Sequence, residues 1–311
     1  MGKKGDAIDG VLLLDKPEGM SSNWVLQLSR RLINAQKAGH TGTLDPFATG
    51  LLPLAFGNAT KYSADLLHAD KRYEAVLRFG SCTDTMDKTG EVTAVSDMRP
   101  TRESLEALLA EFTGEIEQIP PMYSALKVDG KKLYELAREG KNVERHPRKV
   151  KVHHLELMEF DGETAKIDVR VSKGTYIRVL ADDIGRKLGC FAHLESLRRT
   201  EVGDLKIADA IPFAVVDDKV KTVEERRALL KGADFLLQTL GSVRLDAVQT
   251  ERLRNGQRLP VKDTRHGELL RAYGSSGELL GTVKVDARGT LHPHRMIRFV
   301  VTENLEKNGE E

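Results

Sequence analysis

The chain has 311 residues, 40% hydrophobic, 31% charged and 5% aromatic, with a formal net charge of +1. That composition excludes a disordered chain, and the near-neutral balance carries no whole-chain signature of a nucleic-acid partner. No apolar run approaches the roughly 18 residues of a membrane span, MGKKGDAIDG lacks the apolar segment of a secretory signal, and two cysteines, Cys82 and Cys190, are too few for a disulfide framework, so a cytoplasmic protein with reduced, buried thiols is expected.

In chain order, GVLLLDKPEGMSS reads as a buried strand ending at Lys16-Pro17. Ser21 or Ser22 then caps a helix with Val25, Leu28 and Leu32 on one face, ending near Asn34. After the glycine-rich loop KAGHTGTLDPFATG, LLPLAFG reads as a short apolar strand and NATKYSADLLHAD as a second helix capped by Asn58. Tyr73, Ala75, Leu77 and Phe79 alternate with charged or smaller residues, the pattern of a half-buried strand. TRESLEALLAEFTG is a helix capped by Thr101, with Leu105, Leu108, Leu109 and Phe112 as its apolar stripe.

Pro120 and Pro121 interrupt any regular element, and VKVHHLELMEF and TAKIDVRVS flank the hairpin signal Asp161-Gly162. A helix is predicted from about Thr175, with Ile177, Leu180, Ala181, Ile184 and Leu188 on one face and Gly189 stopping it. AHLESLRRTEVG receives no element type, and a charged helix is expected around VEERRALLKGADFLL. From about residue 240 short strands and turns suggest a small β domain. The predicted organisation is a catalytic domain over 1–239, with an insert at about 120–150, and a β-rich domain over 240–311. The class is α+β, without the regular alternation of a doubly wound sheet.

Charge is unevenly spread. Residues 125 to 154 hold nine Lys or Arg against four acids, an excess of +5, with three histidines added. This is either a solvated face or a footprint for phosphates. The loop at 37–50 places Gly39, Gly42 and Gly50 around His40 and Asp45, which points to imposed backbone geometry against a ligand. TDTMDKTG imitates a calcium loop, but Met86 and Lys88 stand where oxygen ligands are needed, so a turn is expected. No HExxH, paired-cysteine, P-loop or nucleophile-elbow pattern is present, so neither metal nor cofactor is implied.

Seven segments in order, GVLLLDKPEGMSSN, KAGHTGTLDPFATGLLPLAFGNATKY, DKRYEA, TDTMDKTG, IPPMYSALKVDGKKLYELAREG, VSKGTYIRVLADDIG and HLESLRR, strongly resemble the bacterial tRNA pseudouridine synthase B family. LRNGQRLP and GELLGTVKVDARGTLHPHRMI resemble that family's PUA-type RNA-binding domain. The resemblance implies a pseudouridine-synthase catalytic domain with a mixed, largely antiparallel sheet. It also implies isomerisation of uridine 55 in the tRNA T loop through base flipping, by a monomer without cofactor. Asp45 would be the nucleophile, which suits a reaction that breaks and remakes bonds to one sugar carbon without redox change.

Arg178 would pair with that carboxylate; its ordinary alternative is an i, i+4 pair with Asp182. Tyr73 would stack on the uracil, and His40 would brace the gap left by the flipped nucleotide. Leu197 and Tyr176 would line the base pocket, Lys16 with Pro17 would shape its floor, and Lys131 and Lys132 in the insert would meet phosphates. Val179 departs from the family, where serine is common after GTYIR, and this leaves the packing around Arg178 open. A tRNA-binding or tRNA-folding protein with dispensable catalysis is the rival reading. A glycosidase would want two carboxylates where this loop offers one.

Overall fold

The computed structural model describes residues 5–124, 126–128, 130–261 and 266–297. In its first half, strands β1 (Gly10–Lys16), β2 (Ala38–His40), β3 (Thr49–Phe56) and β4 (Lys71–Phe79) are joined by helices α1 (Ser22–Leu32) and α2 (Ser63–His68). A small hairpin, β5 (Ser81–Thr83) and β6 (Val92–Val95), precedes α3 (Arg102–Glu111) and β7 (Gly114–Gln118). The insert holds β8 (Lys127–Val128), β9 (Lys131–Lys132) and α4 (Leu133–Arg138).

Next come β10 (Arg148–Phe160), β11 (Thr164–Val171), α5 (Ile177–Lys187), β12 (Ala192–Val202), β13 (Leu205–Lys206), β14 (Ile211–Pro212), α6 (Phe213–Val216) and α7 (Val223–Arg227). A second sheet is built from β15 (Ser242–Arg244), β16 (Leu259–Pro260), β17 (Leu269–Tyr273), β18 (Leu279–Val285) and β19 (Thr290–Met296), with α8 (Ala247–Arg254) beside it.

The main sheet runs β14-β1-β3-β12-β4-β11-β10-β7, with β2 beside β3 and β13 beside β12. Only the β1–β14 and β3–β12 pairs are parallel, so among the described residues the sheet is mixed and largely antiparallel. Strand β1 is apolar on both faces because both are covered. Leu12 and Leu14 join the large core with Val25, Leu105, Leu180 and Ile184 from α1, α3 and α5, while Val11 and Leu13 pack with Leu51, Ala55 and Val202. The second sheet has its own core around Leu253, Leu270, Leu280, Val283 and Leu291. It meets the first through Lys61 Nζ on the Met296 carbonyl at 2.7 Å, the Tyr62 hydroxyl on the Arg295 carbonyl at 3.1 Å, and Arg295 paired with Asp65 at 2.7 Å.

Several local expectations change. Ser21 is the cap of α1, accepting from the Trp24 amide at 3.2 Å, which frees Ser22 for another contact. Asn58 caps nothing. Its amide nitrogens, backbone and side chain, both bind the Asp9 carboxylate, and a 3-10 turn over Gly57–Lys61 precedes the shorter α2. Helix α5 starts at Ile177 rather than Thr175, because Tyr176 trades backbone hydrogen bonds with the Gln118 side chain at 3.0 and 3.2 Å. The segment from 192 to 202 is a central strand. The charged helix is broken after α7, where Lys231 bonds the Val11 backbone in both directions, and a 3-10 turn follows over Ala233–Leu237.

Candidate active site

The glycine-rich loop is held residue by residue. Gly50 is obligatory: at φ +103, a Cβ there would lie 2.3 Å from the Arg199 carbonyl oxygen. Leu44 is clamped by Ser22, whose hydroxyl accepts from its N–H at 2.8 Å and faces its carbonyl at 2.9 Å. Lys16 is fully buried, and its ammonium donates to the carbonyls of Pro17 and Met20 at 2.7 Å and of Pro46 at 3.2 Å. Lys16, expected to shape the pocket floor, thus holds the loop from beneath. Burial brings its pKa down from 10.5 to about 8, with Asp45 pulling the other way.

Asp45 emerges between these anchors. Its carboxylate meets Arg178 Nε at 2.9 Å, with Arg178 5% and Asp45 37% exposed at the side chain. The i, i+4 alternative fails, since Asp182 pairs with Arg186 at 2.6 Å. Arg178 also donates through Nη1 to the Thr85 carbonyl at 3.0 Å and through Nη2 to the Tyr123 carbonyl at 2.9 Å, which joins the insert to the Asp45 loop. Next to it Val179 is packed in the interior, where its apolar side chain leaves these contacts intact.

A second carboxylate completes the cluster. Asp87, 3% exposed, lies 3.6 Å from Arg178 Nη1. Its other oxygen accepts from the Thr85 hydroxyl at 2.9 Å, the Thr89 amide at 3.0 Å and the Thr89 hydroxyl at 2.5 Å. TDTMDKTG is therefore a built turn: Met86 sits at φ +63, and Met86 and Lys88 exchange backbone hydrogen bonds with Leu194 of β12 at 3.0 Å. One guanidinium faces two carboxylates. Burial, then Asp87, raises the Asp45 pKa above its ordinary value while Arg178 lowers it. The sequence held this signal in the two threonines flanking Asp87, but its resemblance to a metal loop drew attention elsewhere.

Tyr176 lies beside this cluster, its phenol pKa raised chiefly by burial and further by Asp45. Tyr73, 9% exposed on β4, is in register with Arg199 of β12, and Leu197, 7% exposed, is in register with Ala75. Both face the core side of the sheet. His40 accepts from the Gly42 amide through Nδ1 at 3.3 Å, and burial followed by the nearby Arg199 charge lowers its pKa, so the ring is neutral at pH 7. Lys131 is exposed on the β8–β9 hairpin; the side chain of Lys132 lies outside the described residues. An open cleft adjoins the site between Asp84, Met86, Met122, Tyr123 and Arg145. Further along, the basic excess is partly met within the sheet, where Lys149 and Lys151 stand opposite Glu117 and Glu115.

Family models match the chain almost end to end. Residues 30–177 match the N-terminal domain of the TruB family pseudouridylate synthases, 178–238 a tRNA pseudouridylate synthase B C-terminal domain, and 241–297 the C-terminal region of pseudouridine synthase II TruB. The chain is 50% identical over 301 residues to the tRNA pseudouridine synthase B of Cupriavidus metallidurans, covering 94% of this chain and 95% of that one. It is 50% identical over 295 residues to the protein of the same name from Aromatoleum aromaticum, covering 95% and 94%. Among solved structures, a chain from the "Crystal Structure of a Cbf5-Nop10-Gar1 Complex" matches with a TM-score of 0.66 at 29% identity, over 90% of this chain and 79% of that one. The fold is shared as well with a chain from the "Structure of H/ACA RNP bound to a substrate RNA containing 2'-deoxyuridine", at a TM-score of 0.67 and 24% identity, over 93% and 85%. Matched along its length by these models and half identical to full-length relatives, the chain belongs to the TruB family and is a pseudouridine synthase.

Proposed function

We propose that this enzyme converts uridine 55 in the T loop of tRNA to pseudouridine, acting as a cytoplasmic monomer without metal or cofactor. The supporting observation is the Asp45–Arg178 pair: a carboxylate steered by a buried guanidinium, with its own side chain 37% exposed toward an incoming ligand. The reaction breaks the bond from ribose C1′ to uracil N1, turns the base and rejoins it through C5, and the proton lost from C5 is balanced by one gained at N1. Asp45 attacks a carbon of the flipped nucleotide, ribose C1′ or uracil C6, and leaves again when the new bond is made.

A base inside a folded T loop is out of reach, so the nucleotide is extruded. The neutral ring of His40 braces the gap, Tyr73 stacks on the uracil, and Leu197 and Tyr176 close the pocket. Lys131 and Lys132 meet backbone phosphates, and a PUA-type domain over 240–311 adds grip on the RNA. The relatives' name, tRNA pseudouridine synthase B, favours tRNA as the substrate. Incubation with unmodified tRNA, followed by mapping of pseudouridine by position, tests this. Product confined to position 55, and absent with Asp45→Asn, is expected; product elsewhere, or turnover by the variant, overturns it.

A further inference from the structure

Arg199, 1% exposed at the centre of β12, has no part in the chemistry above. Its guanidinium donates to three backbone carbonyls, Nε to Leu51 at 2.8 Å, Nη2 to Gly42 at 3.1 Å and Nη1 to Thr43 at 3.4 Å, and it hydrogen-bonds the Tyr73 side chain. The group acting on it electrostatically is the phenol of Tyr73, its register partner on β4. A buried cation without a carboxylate costs several kcal/mol, and an apolar side chain could fill the same space without that cost. Holding the fold together is therefore a poor account of it.

Its contacts indicate another. Gly42, Thr43 and Leu51 lie on both sides of Asp45, so one planar group brackets the loop that carries the nucleophile. Carbonyls 44 and 46 are held by Ser22 and Lys16, from α1 and β1. The loop is thus pinned from three elements, but only the anchor on β12 also faces Tyr73. We infer that Arg199 is a positioning residue, which fixes the Asp45 loop against the ring of Tyr73 so that nucleophile and stacked base keep one separation. This rests on the roles proposed for Asp45 and Tyr73. Being buried, Arg199 acts on the rate and not on RNA affinity.

The test compares Arg199→Lys and Arg199→Met with Arg226→Lys. Arg226 is also buried, 6% exposed, and donates to the Val216 carbonyl at 2.8 Å and to other backbone oxygens of its own loop. Melting temperature, tRNA dissociation constant, active fraction and single-turnover rate at saturating tRNA are measured for each. A misplacement of about 1 Å costs about 100-fold in rate. Arg199→Lys is therefore expected to turn over roughly 10 to 100 times more slowly per active site, with unchanged tRNA affinity, while Arg226→Lys loses stability and keeps its rate. A normal rate per active site in Arg199→Lys, or an equal rate loss in Arg226→Lys, overturns the inference; should Arg199→Met not fold, the lysine variant decides. Asp45→Asn is run alongside. If it turns over, the Asp45 reading fails, whereas an inactive Asp45→Asn beside a fully active Arg199→Lys defeats this inference alone.

Discussion

Replacing Asp45 by asparagine is expected to abolish turnover and, at neutral pH, to make the protein more stable. Arg178 stands between two carboxylates, 2.9 Å from Asp45 and 3.6 Å from Asp87, and one guanidinium cannot neutralise both. The attraction between two such charges near 4 Å is about 4 kcal/mol at an effective dielectric of 20. Burial and Asp87 outweigh it, which is the meaning of the raised Asp45 pKa. Asparagine removes the second negative charge and leaves Arg178 with Asp87 and its two carbonyls. Because the Asp45 side chain is 37% exposed, solvent screens part of the effect. The gain is then about 1 kcal/mol, or about 2–4 °C in Tm for a domain of this size.

The sign with pH follows from the direction of the shift. A carboxyl whose folded pKa lies above its unfolded value near 3.8 loses stability as pH rises between the two, so the variant's advantage opens across that window and is constant above it. Paired thermal melts of both proteins from pH 4 to 8, with turnover at pH 7, measure it. A variant less stable at every pH, a gap independent of pH, or residual pseudouridine would refute the reasoning.

Arg178→Lys leaves the carbonyls of Thr85 and Tyr123 without their donors, at about 1–3 kcal/mol each, and frees Asp45; a lower Tm and a single-turnover rate down by about 100-fold or more are expected, and either one unchanged would contradict the geometry. Lys16 has a folded pKa of about 8 against 10.5, so its contribution to stability rises between those values, by on the order of 3 kcal/mol. Urea midpoints at pH 7.5 and 10 should show that rise in the wild type, with a smaller one in Lys16→Met. Lys131→Glu with Lys132→Glu should weaken tRNA binding and reduce the log-log salt slope by roughly 0.7 to 0.9 per lost phosphate contact; parallel lines would make these residues part of a solvated face.

What could be read from the sequence was whatever a short stretch determines by itself. The apolar run of β1, the Asp161-Gly162 hairpin and the Thr101 cap rest on neighbouring residues, and the structure keeps all three. Asp45 and Arg178 were legible through their motifs, and the structure joins them. Strand β12 was not, because two bulges, at Leu194/Ser196 and Arg199/Glu201, break the alternation by which a strand is recognised. Asp87 and Arg199 were missed for a related reason. Each looks like an ordinary surface charge until distant segments close over it, and no local pattern announces a buried ion. Nor could the sequence show that Glu115 and Glu117 stand opposite two lysines of the basic stretch, a juxtaposition that exists only once β7 pairs with β10.

The place of β12 between β3 and β4 has a consequence for synthesis. Those two neighbours end by residue 79, whereas β12 begins at 192. On a ribosome adding about 5–20 residues per second, the edge of β4 and the Thr49–Gly50 end of β3 wait for β12 for roughly 6 to 23 s. During that interval the sheet is two separate halves, and β4, which β12 pairs along Lys71–Phe79, presents an edge open to other chains. Asp45 leaves the tunnel long before Arg178, which pairs with it, and Arg199, which bonds carbonyls on either side of it. A chain stopped short of residue 192 is therefore an aggregation-prone fragment rather than a smaller enzyme, and catalytic competence comes only after the last piece of the central sheet has been made.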